Sequence, residues 1–441
     1  MGIIKRPFWL NNDYGSFGTL NGDMEADIAV IGGGITGVSA AFHLAEAGAD
    51  FVLLEKDRIG SGATGHSMGG LVPGIEQEDI WQSVEKYGED RTKTIWRVSG
   101  NAIDEIASLC SKKGIKCDFV RGPALDLVED RKELGLLDYE HKAAGRCGVE
   151  TEIIEEGRLR GEVAVGKSVV GALEYKNCAQ LNPAAFVNGL AIAIKGHAER
   201  LFQGTEVNKI ENDDGSFTIT TGKGRLKANK LILATESYTP QLGILKKRMA
   251  TVRINALATE RLDPDLMEKL GFRDKLAWNL GRDYNFIRTT ADNRVIIDGG
   301  DSLSKAEGDM PQQKRIMEIH ERLIELFPSL SGQGIEFEWS GRMAAPIRYV
   351  PGLNEGIKAI SRIADIRLNL PLVGQIGARM ISMPFLGHVK NNPNMFYSAG
   401  YIGHGLPLGF LGGKVLSELS VGSPGDESIE LLNAYDPENR L

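Results

Sequence analysis

The sequence predicts an α/β protein that opens with a parallel β-α-β unit and has a second domain interleaved with the first. Asp27–Gly32 (DIAVIG) is a short apolar run, typical of a buried parallel strand. Val38–Ala47 consists of helix formers and stops at Gly48, and Phe51–Glu55 (FVLLE) is a second apolar run. Strand, helix and strand thus follow one another within about thirty residues. The 441 residues contain no flexible linker, and this favours interwoven over consecutive domains.

The remaining chain alternates helical and strand patterns. Helices are expected at 78–114, Asn182–Lys195, 264–271, Gln312–Phe327 and Leu411–Leu419. Strands are expected at Gly204–Ile210, Ser216–Thr221, Lys230–Ala234, 251–260 and 283–301. Residues 115–175 are expected to alternate short strands and turns, and residues 1–26 to form an irregular leader.

The composition excludes several classes of protein. Hydrophobic residues make up 42% and charged residues 25%, so general disorder is excluded. The formal net charge is −8 and no basic run occurs, which argues against nucleic acid as a partner. We expect no membrane span and, without a signal-peptide pattern at the N-terminus, a cytoplasmic protein. Four scattered cysteines without C-x-x-C spacing predict buried thiols and no metal site.

A dinucleotide-binding pattern follows the first strand. Gly32–Gly37 (GGGITG) fits G-x-G-x-x-G between the strand and the helix. Gly32 permits the tight turn, Gly34 lets the backbone approach a pyrophosphate, and Gly37 allows close helix–strand packing. Glu55 ends the second strand, where an acid binds an adenosine ribose 2′-OH and disfavours NADP. The spacing therefore predicts a Rossmann-like domain.

Two further glycine-rich segments indicate a flavin, in a chain where 54 residues are glycine. Gly60–Gly74 (GSGATGHSMGGLVPG) is a loop for which a nicotinamide dehydrogenase has no general need. A flavin needs such a loop, because its ring must lie against backbone N–H groups. Tyr397–Gly405 (YSAGYIGHG), followed by a helix, again aims N–H donors at an electron-accepting ring. The three segments together predict FAD.

The chain resembles the FAD-dependent amine and amino-acid oxidoreductases of the D-amino-acid oxidase type. These include glycine oxidase, sarcosine oxidase, dimethylglycine dehydrogenase and γ-glutamylputrescine oxidase. The matching segments are IAVIGGGITGVSAAFHLAEAGADFVLLEK, GSGATGHSMGG, LILATESYT, FIRTTADNRVIIDGG and YSAGYIGHGLPLGFLGGKVLSEL, within residues 27–419. The resemblance implies a discontinuous FAD-binding domain at 1–88, 176–238 and 339–441. It also implies an α+β substrate-binding domain, built on a largely antiparallel sheet, at 89–175 and 239–338.

The resemblance implies which residues contact FAD. Val207 is expected beside adenine, and Ala234 and Thr235 beside the pyrophosphate. The other expected contacts belong to the three glycine-rich segments and the end of the second strand: Gly32, Gly34, Ile35, Thr36, Gly37, Glu55, Lys56, Ser61, Ala63, Thr64, His66, Ser67, Gly69, Gly70, Leu71, Gly400, Gly403, His404, Gly405 and Leu406.

The mode of FAD attachment stays open. Noncovalent binding is expected. The alternative is a covalent bond between His66 and the flavin 8α-methyl group, as the resemblance to dimethylglycine dehydrogenases implies. A cysteine linkage of the sarcosine oxidase kind is excluded, because no Cys follows Cys178.

The implied reaction is oxidation of a C–N bond in a small amine or amino acid, by hydride transfer to flavin N5 and hydrolysis of the imine. Arg288 and Arg342 are the candidates for binding a substrate carboxylate, and His404 is expected beside the flavin. Two other functions stay open. One is an FAD-dependent 2-hydroxy-acid dehydrogenase, and the other is an FAD-bearing subunit of a hetero-oligomeric dehydrogenase.

The electron acceptor and the assembly also stay open. Ile296 stands where monomeric sarcosine oxidases have an oxygen-activating Lys, so the acceptor is oxygen or another molecule. Residues 343–390 form a longer segment than the family usually has. A substrate lid, a contact with a second subunit in a homo-oligomer, and a local packing loop are the three interpretations.

Overall fold

A computed structural model describes residues 2–435, except 76–78, 195, 197, 214, 280–283, 304–312, 350–377 and 381–382. Most of the unusually long segment, including Pro351 and Pro371, lies outside the described residues. The helices are α1 (Ile35–Glu46), α2 (Ala63–His66), α3 (Ile80–Tyr87), α4 (Glu89–Lys113), α5 (Leu134–Arg146), α6 (Glu156–Glu162), α7 (Pro183–Ile192), α8 (Pro264–Leu270), α9 (Gln313–Leu326), α10 (Gly405–Val421) and α11 (Asp426–Ala434).

Eighteen strands occur in the described part of the chain. They are β1 (Met24–Ile31), β2 (Phe51–Leu54), β3 (Gly70–Leu71), β4 (Val120–Val128), β5 (Thr151–Glu155), β6 (Gly171–Gln180), β7 (Leu201–Phe202), β8 (Val207–Asp213), β9 (Ser216–Thr221), β10 (Arg225–Leu233), β11 (Met249–Thr259), β12 (Leu276–Asn279), β13 (Asn285–Thr289), β14 (Val295–Leu303), β15 (Ile335–Tyr349), β16 (Ala378–Met380), β17 (Phe385–Val389) and β18 (Asn392–Ala399).

The first sheet contains the predicted β-α-β unit. Its strand order is β17-β18-β10-β1-β2-β7, with β9 beside β10 and β8 beside β9. The strands from β18 to β7 run parallel, and buried apolar runs such as Phe51–Leu54 explain why they pair in the interior. Helices α1 and α10 cross closely, since a Cβ added to Gly413 would lie 2.2 Å from Thr36 O.

The second sheet is largely antiparallel. Its order is β16-β15-β11-β14-β13-β12-β4-β6-β3, with β5 beside β6, and β12 pairs with β4 in parallel. Helix α9 packs on one face through Ile316 and Leu323, which meet Ile287, Ile297 and other apolar residues of the strands. The opposite face lines the candidate site. A parallel α/β sheet combined with a largely antiparallel one confirms the predicted fold class.

The structure corrects the secondary structure expected for residues 115–175, which contain helices α5 and α6 as well as strands. Helix α5 was not predicted because it contains Gly135 and Gly145, which lower helix propensity, and because the acidic Glu140 lies on its buried face. Helix α10 begins at Gly405 rather than Leu411, since its first turn contains Pro407, which a first helical turn tolerates. The leader contains a 3₁₀ helix at Phe8–Asn11.

The first sheet falls within the proposed ranges of the FAD-binding domain, and the second sheet contains strands from both proposed domains. Every described strand of the first sheet lies in the ranges proposed for the FAD-binding domain. Strands β6 and β15 of the second sheet cross the proposed boundaries at 175 and 338, and β3 and β16 lie beyond them. None of the described helices is both long and apolar enough to cross a membrane.

Candidate active site

A cavity of about 740 Å³ lies between the two sheets. The carboxyl ends of β1, β2 and β10 open into it through Gly32, Glu55 and Ala234. Its opposite wall is the inner face of the second sheet, including Ala256 and Trp339. Open α/β sheets bind ligands outside the carboxyl ends of their strands, and the volume is in the upper part of the usual range for ligand pockets.

The glycine-rich turn after β1 has the backbone geometry that a pyrophosphate requires. Gly32 has φ +108°, and a Cβ there would lie 2.4 Å from Ala234 O. A Cβ added to Gly37 would lie 1.8 Å from Gly32 O, so Gly37 serves helix–strand packing and does not line the cavity. Gly34 precedes the first turn of α1, whose N–H groups face the cavity wall.

Glu55 is fixed at the edge of the cavity by two backbone groups. Gly33 N donates to its Oε2 at 2.6 Å, and Asp57 N donates to its Oε1 at 2.8 Å. The side chain is 9% exposed, and this burial raises the pKa of the Glu55 carboxyl. A carboxylate oriented in this way suits a ribose hydroxyl. Beside it, the Lys56 ammonium lies 4.1 Å from the centre of the Tyr238 ring.

The loop of residues 61–70, called the flavin loop here, is anchored to several segments of the chain. Three hydrogen bonds hold it: Trp9 Nε1 to Ser67 O (2.8 Å), Trp339 Nε1 to His66 O (3.0 Å) and Ile35 N to Thr64 Oγ1 (3.0 Å). His66 Nδ1 lies 2.9 Å from Gly62 O, which can only accept. The loop is therefore held by the leader, by α1 and by the second sheet.

Arg288 also holds the flavin loop, and this corrects its expected role. Its Nε and Nη1 donate to four backbone carbonyls: Thr289 O (3.0 Å), Met68 O (3.0 Å), Gly69 O (3.0 Å) and Leu181 O (2.8 Å). The side chain is 2% exposed and does not line the cavity. This placement is at odds with binding a substrate carboxylate, because these donors are already engaged. Arg342, by contrast, lies in the cavity wall.

The C-terminal glycine-rich segment completes the cofactor side of the cavity. Gly403, His404, Gly405 and Leu406 lie in the wall, where α10 begins after His404. Gly400 has φ +87° and lies outside the wall. The free N–H groups of the first turn of α10 can face an electron-rich ring edge.

Most expected FAD contacts thus meet in one cavity. The wall contains Gly32, Gly34, Ile35, Thr36, Glu55, Lys56, Ser61, Ala63, Thr64, His66, Ser67, Gly69, Gly70, Val207, Ala234, Thr235, Gly403, His404, Gly405 and Leu406. The expected contacts outside it are Gly37, Gly400 and Leu71, which is buried in the core beside β6.

Glu236 is a wall residue that sequence reasoning missed. It has φ +44°, and its carboxyl accepts hydrogen bonds from Ala344 N (3.2 Å), Gly400 N (2.9 Å) and the backbone of Tyr401. Burial raises the pKa of Glu236 to about 7. The available signal was a charged residue placed directly after the apolar strand β10 and Thr235. Its carboxyl joins three parts of the chain behind the cavity wall.

Beyond the flavin loop, the cavity continues into a region called the substrate arm here. Its carboxylates and aromatic rings are Asp79, Trp96, Asp126, Glu133, Glu140, Tyr175, Trp278, Tyr284, Phe286 and Asp298. Sequence reasoning also missed these residues, which are scattered over more than two hundred positions. Among the described cavity residues of the second sheet, Arg342 is the only Lys, Arg or His.

Comparison with known proteins identifies the family. Residues 27–419 match the model of the DAO family, FAD dependent oxidoreductase. The chain is 28% identical to gamma-glutamylputrescine oxidoreductase of Escherichia coli (strain K12), over 92% of this chain and 86% of that protein.

Solved structures with the same fold include glycine oxidase from Geobacillus kaustophilus, with a TM-score of 0.73 and 18% identity over 91% of this chain and 96% of that chain. L-proline dehydrogenase from P. horikoshii has a TM-score of 0.71 and 18% identity over 92% of this chain and 96% of that chain. Because the family model spans most of the sequence and the site has the features that FAD requires, this chain belongs to the DAO family and is an FAD-dependent oxidoreductase.

Proposed function

We propose that this enzyme oxidises a C–N bond in a small amine or amino acid. The observation that carries the proposal is the acidic lining of the substrate arm. Five acidic side chains line it, those of Asp79, Asp126, Glu133, Glu140 and Asp298, against the single guanidinium of Arg342 in the described wall of the second sheet. An acidic lining favours a cationic amine, because an ammonium group stabilises the ionised form of a neighbouring carboxyl. The similarity to gamma-glutamylputrescine oxidoreductase supports the same class of substrate.

The residues of the cofactor side would hold FAD in a defined order. Glu55 would bind the ribose, the first turn of α1 the pyrophosphate, and the flavin loop with the start of α10 the ring. FAD, when bound, supplies the acceptor for the hydride that leaves the substrate carbon. We expect noncovalent attachment, with a bond to His66 as the alternative.

The protein's own task is to orient the amine and keep water away from the reacting carbon. Ile254, Ala256 and Trp339 form an apolar wall next to the flavin loop. Arg342 would bind a carboxylate where the substrate has one. A dedicated base is not required when the amine loses its proton before the hydride leaves. The imine is then hydrolysed.

The acidic lining of the arm favours an amine over a 2-hydroxy acid, because those acids that are ionised attract an ammonium group and repel an anionic substrate. The acceptor, whether oxygen or another molecule, remains a prediction. A homo-oligomer and a cytoplasmic location also remain predictions.

The test is anaerobic mixing of the FAD-loaded protein with amines, amino acids and 2-hydroxy acids, each followed by the loss of flavin absorbance. This readout is independent of the electron acceptor. We expect amines to bleach the flavin and to release an aldehyde or keto acid with ammonia or a smaller amine. Bleaching by 2-hydroxy acids but by no amine would contradict the proposal. Steady turnover by the isolated chain with oxygen or a dye would exclude the role of an inactive FAD-bearing subunit.

A further inference from the structure

The substrate arm ends in a carboxylate on strand β4, an inner strand of the second sheet. We infer that this end binds a second ammonium group, so that the substrate is a long diamine or polyamine oxidised at its other end. The inference rests on the proposed amine oxidation. It adds a binding site for the part of the substrate that does not react.

A lateral row of side chains leads from the flavin loop to this end. Paired residues connect neighbouring strands along the row: Trp339 with Ala256, Ala256 with Asp298, Phe286 with Trp278, and Trp278 with Asp126. Phe286 N on β13 donates to Asp298 Oδ1 on β14 at 3.0 Å, and this hydrogen bond connects the first two pairs of the row with the last two. Laterally paired residues point to the same face of a sheet. The row therefore forms one continuous floor of the cavity.

Asp126 is a buried carboxylate without a charged partner. Its side chain is 6% exposed, and it accepts a hydrogen bond from Trp278. No Lys, Arg or His of the described residues forms an ion pair with it, and the carboxylates that act on it are those of Asp79, Glu140 and Glu133. Burial and these three carboxylates raise the pKa of Asp126 well above its usual value. A bound cation would offset both effects, since it attracts the ionised form.

The two neighbouring carboxylates already have structural tasks. Both are tied to the start of α3: Glu140 accepts from Ile80 N (3.0 Å), Trp81 N (3.0 Å) and Tyr175 Oη (2.7 Å), and Asp79 accepts from Trp81 Nε1 (3.1 Å). Asp79 also forms a capping box with Gln82. Glu133 is exposed, so Asp126 is left as the buried carboxylate that can pair with a ligand in the arm.

Aromatic rings line the approach to Asp126. Trp278 and Phe286 are stacked, with ring centres 6.2 Å apart and planes 12° apart, and Tyr175 lies 5.5 Å from Trp278. Aromatic faces attract ammonium groups and pack against methylene chains. The walls thus suit a chain that is apolar in the middle and cationic at its end. A short amino acid would leave this part of the arm empty.

The spacing of the strands sets the length of the chain. Phe286 touches the flavin loop, since a Cβ added to Gly70 would lie 2.6 Å from its Cζ. Strands β13, β12 and β4 are neighbours, so Asp126 lies two strand spacings, about 10 Å, from Phe286. An extended chain advances roughly 3.5 Å for every three bonds. About eight or nine bonds, as in 1,7-diaminoheptane or a triamine of that length, are needed between the two nitrogens.

The experiment compares α,ω-diamines of four to ten carbons with the matching monoamines, using the holoenzyme and kcat/KM for flavin reduction. We expect the ratio of diamine to monoamine to rise with length and to exceed tenfold near seven carbons. Asp126→Asn is expected to lower kcat/KM for 1,7-diaminoheptane at least tenfold and for heptylamine less than threefold. Asp138→Asn, an exposed acid on α5, is the matched control. A ratio near one at every length would overturn the inference and leave amine oxidation standing.

A binding measurement separates this site from catalysis. Calorimetric titration of the holoenzyme with 1,7-diaminoheptane, under anaerobic conditions and with the flavin reduced beforehand so that no oxidation occurs, should show binding that Asp126→Asn weakens at least tenfold. Asp126 ionises when the cation binds, so the heat should also depend on the ionisation enthalpy of the buffer. Binding of this kind without turnover of any amine would contradict the proposed function and support the cation site. Equal affinity for 1,7-diaminoheptane and heptylamine would overturn the site.

Discussion

The guanidinium of Arg288 lies 5.1 Å from the centre of the Trp9 ring, and the two side chains hold consecutive carbonyl groups of the flavin loop. Trp9 donates to Ser67 O, and Arg288 donates to Met68 O and Gly69 O. One residue comes from the leader and the other from the second sheet. Side chains from two distant parts of the chain therefore fix three consecutive carbonyl groups of the loop.

Replacing Arg288 tests this supporting role. Arg288→Met would remove a charged donor from four buried carbonyls, of which Gly69 O keeps the hydrogen bond from Leu181 N (2.9 Å). Hydrogen bonds to charged groups contribute about 1.5–3 kcal/mol each. We expect a loss of about 3–5 kcal/mol in the free energy of unfolding and at least tenfold weaker FAD binding, measured by urea denaturation and flavin fluorescence. The exposed Arg273→Met is the control. A stable variant that keeps FAD but has a raised KM for carboxylate substrates would favour a substrate-binding role instead.

Glu55 is expected to determine FAD affinity. Glu55→Gln replaces one acceptor oxygen by an amide that must face a backbone N–H, either of Gly33 or of Asp57. The carboxylate that would bind the ribose is lost as well, so the Kd for FAD should rise at least tenfold. Flavin fluorescence on titration of the apoprotein measures this value. Asp57→Asn, whose side chain is 64% exposed, should change it less than threefold. Equal effects of the two substitutions would contradict the role of Glu55.

The state of His66 can be read from acid precipitation. Noncovalent FAD should leave with the supernatant, and His66→Ala should show the same distribution. Yellow colour in the wild-type pellet that is lost in His66→Ala would instead establish a covalent bond at this residue.

Local spacing was enough to select residues that line one cavity, because each signal of the cofactor side lies within one short segment. The turn after β1 combines a strand end with glycines, the end of β2 places an acid after an apolar run, and the flavin loop is rich in glycine. Arg288 could not be placed in this way, since a strand pattern does not tell which buried face a long side chain reaches. Glu236 was missed because its bonding partners Ala344 and Gly400 are more than a hundred residues away. The acids of the substrate arm meet only through the order of the strands.

Arg342 should matter for substrates that carry a carboxylate. Arg342→Met removes the single guanidinium of the described sheet wall, so KM for α-amino acids should rise at least tenfold. Simple diamines have no carboxylate, and their KM should change less than threefold or fall. Arg342→Lys should recover only part of the loss, because an ammonium cannot form the bidentate pair. A similar rise in KM for both substrate classes would contradict this assignment.

Glu236 should make the stability depend on pH in a defined direction. Its pKa rises from 4.5 in the unfolded chain to about 7 in the folded protein, so between these values the folded state keeps a proton that the unfolded state has released. Stability from this group is therefore fully present below pH 4.5 and falls as the pH rises through 7, by about 3 kcal/mol. The side chain of the Glu236→Gln variant cannot ionise, so the free energy of unfolding of the variant does not fall with pH in this way.

The measurement is urea unfolding of wild type and Glu236→Gln at pH 5 and pH 8 with saturating FAD. We expect the variant to be less stable at pH 5, where its amide replaces one of the oxygens that accept from Ala344 N and Gly400 N. The deficit should shrink by about 2.5 kcal/mol at pH 8, since only the wild type loses the contribution of the protonated carboxyl, and a small part of it is already lost at pH 5. The exposed Glu268→Gln on α8 serves as the control. A deficit of the same size at both pH values would show that Glu236 does not titrate between them.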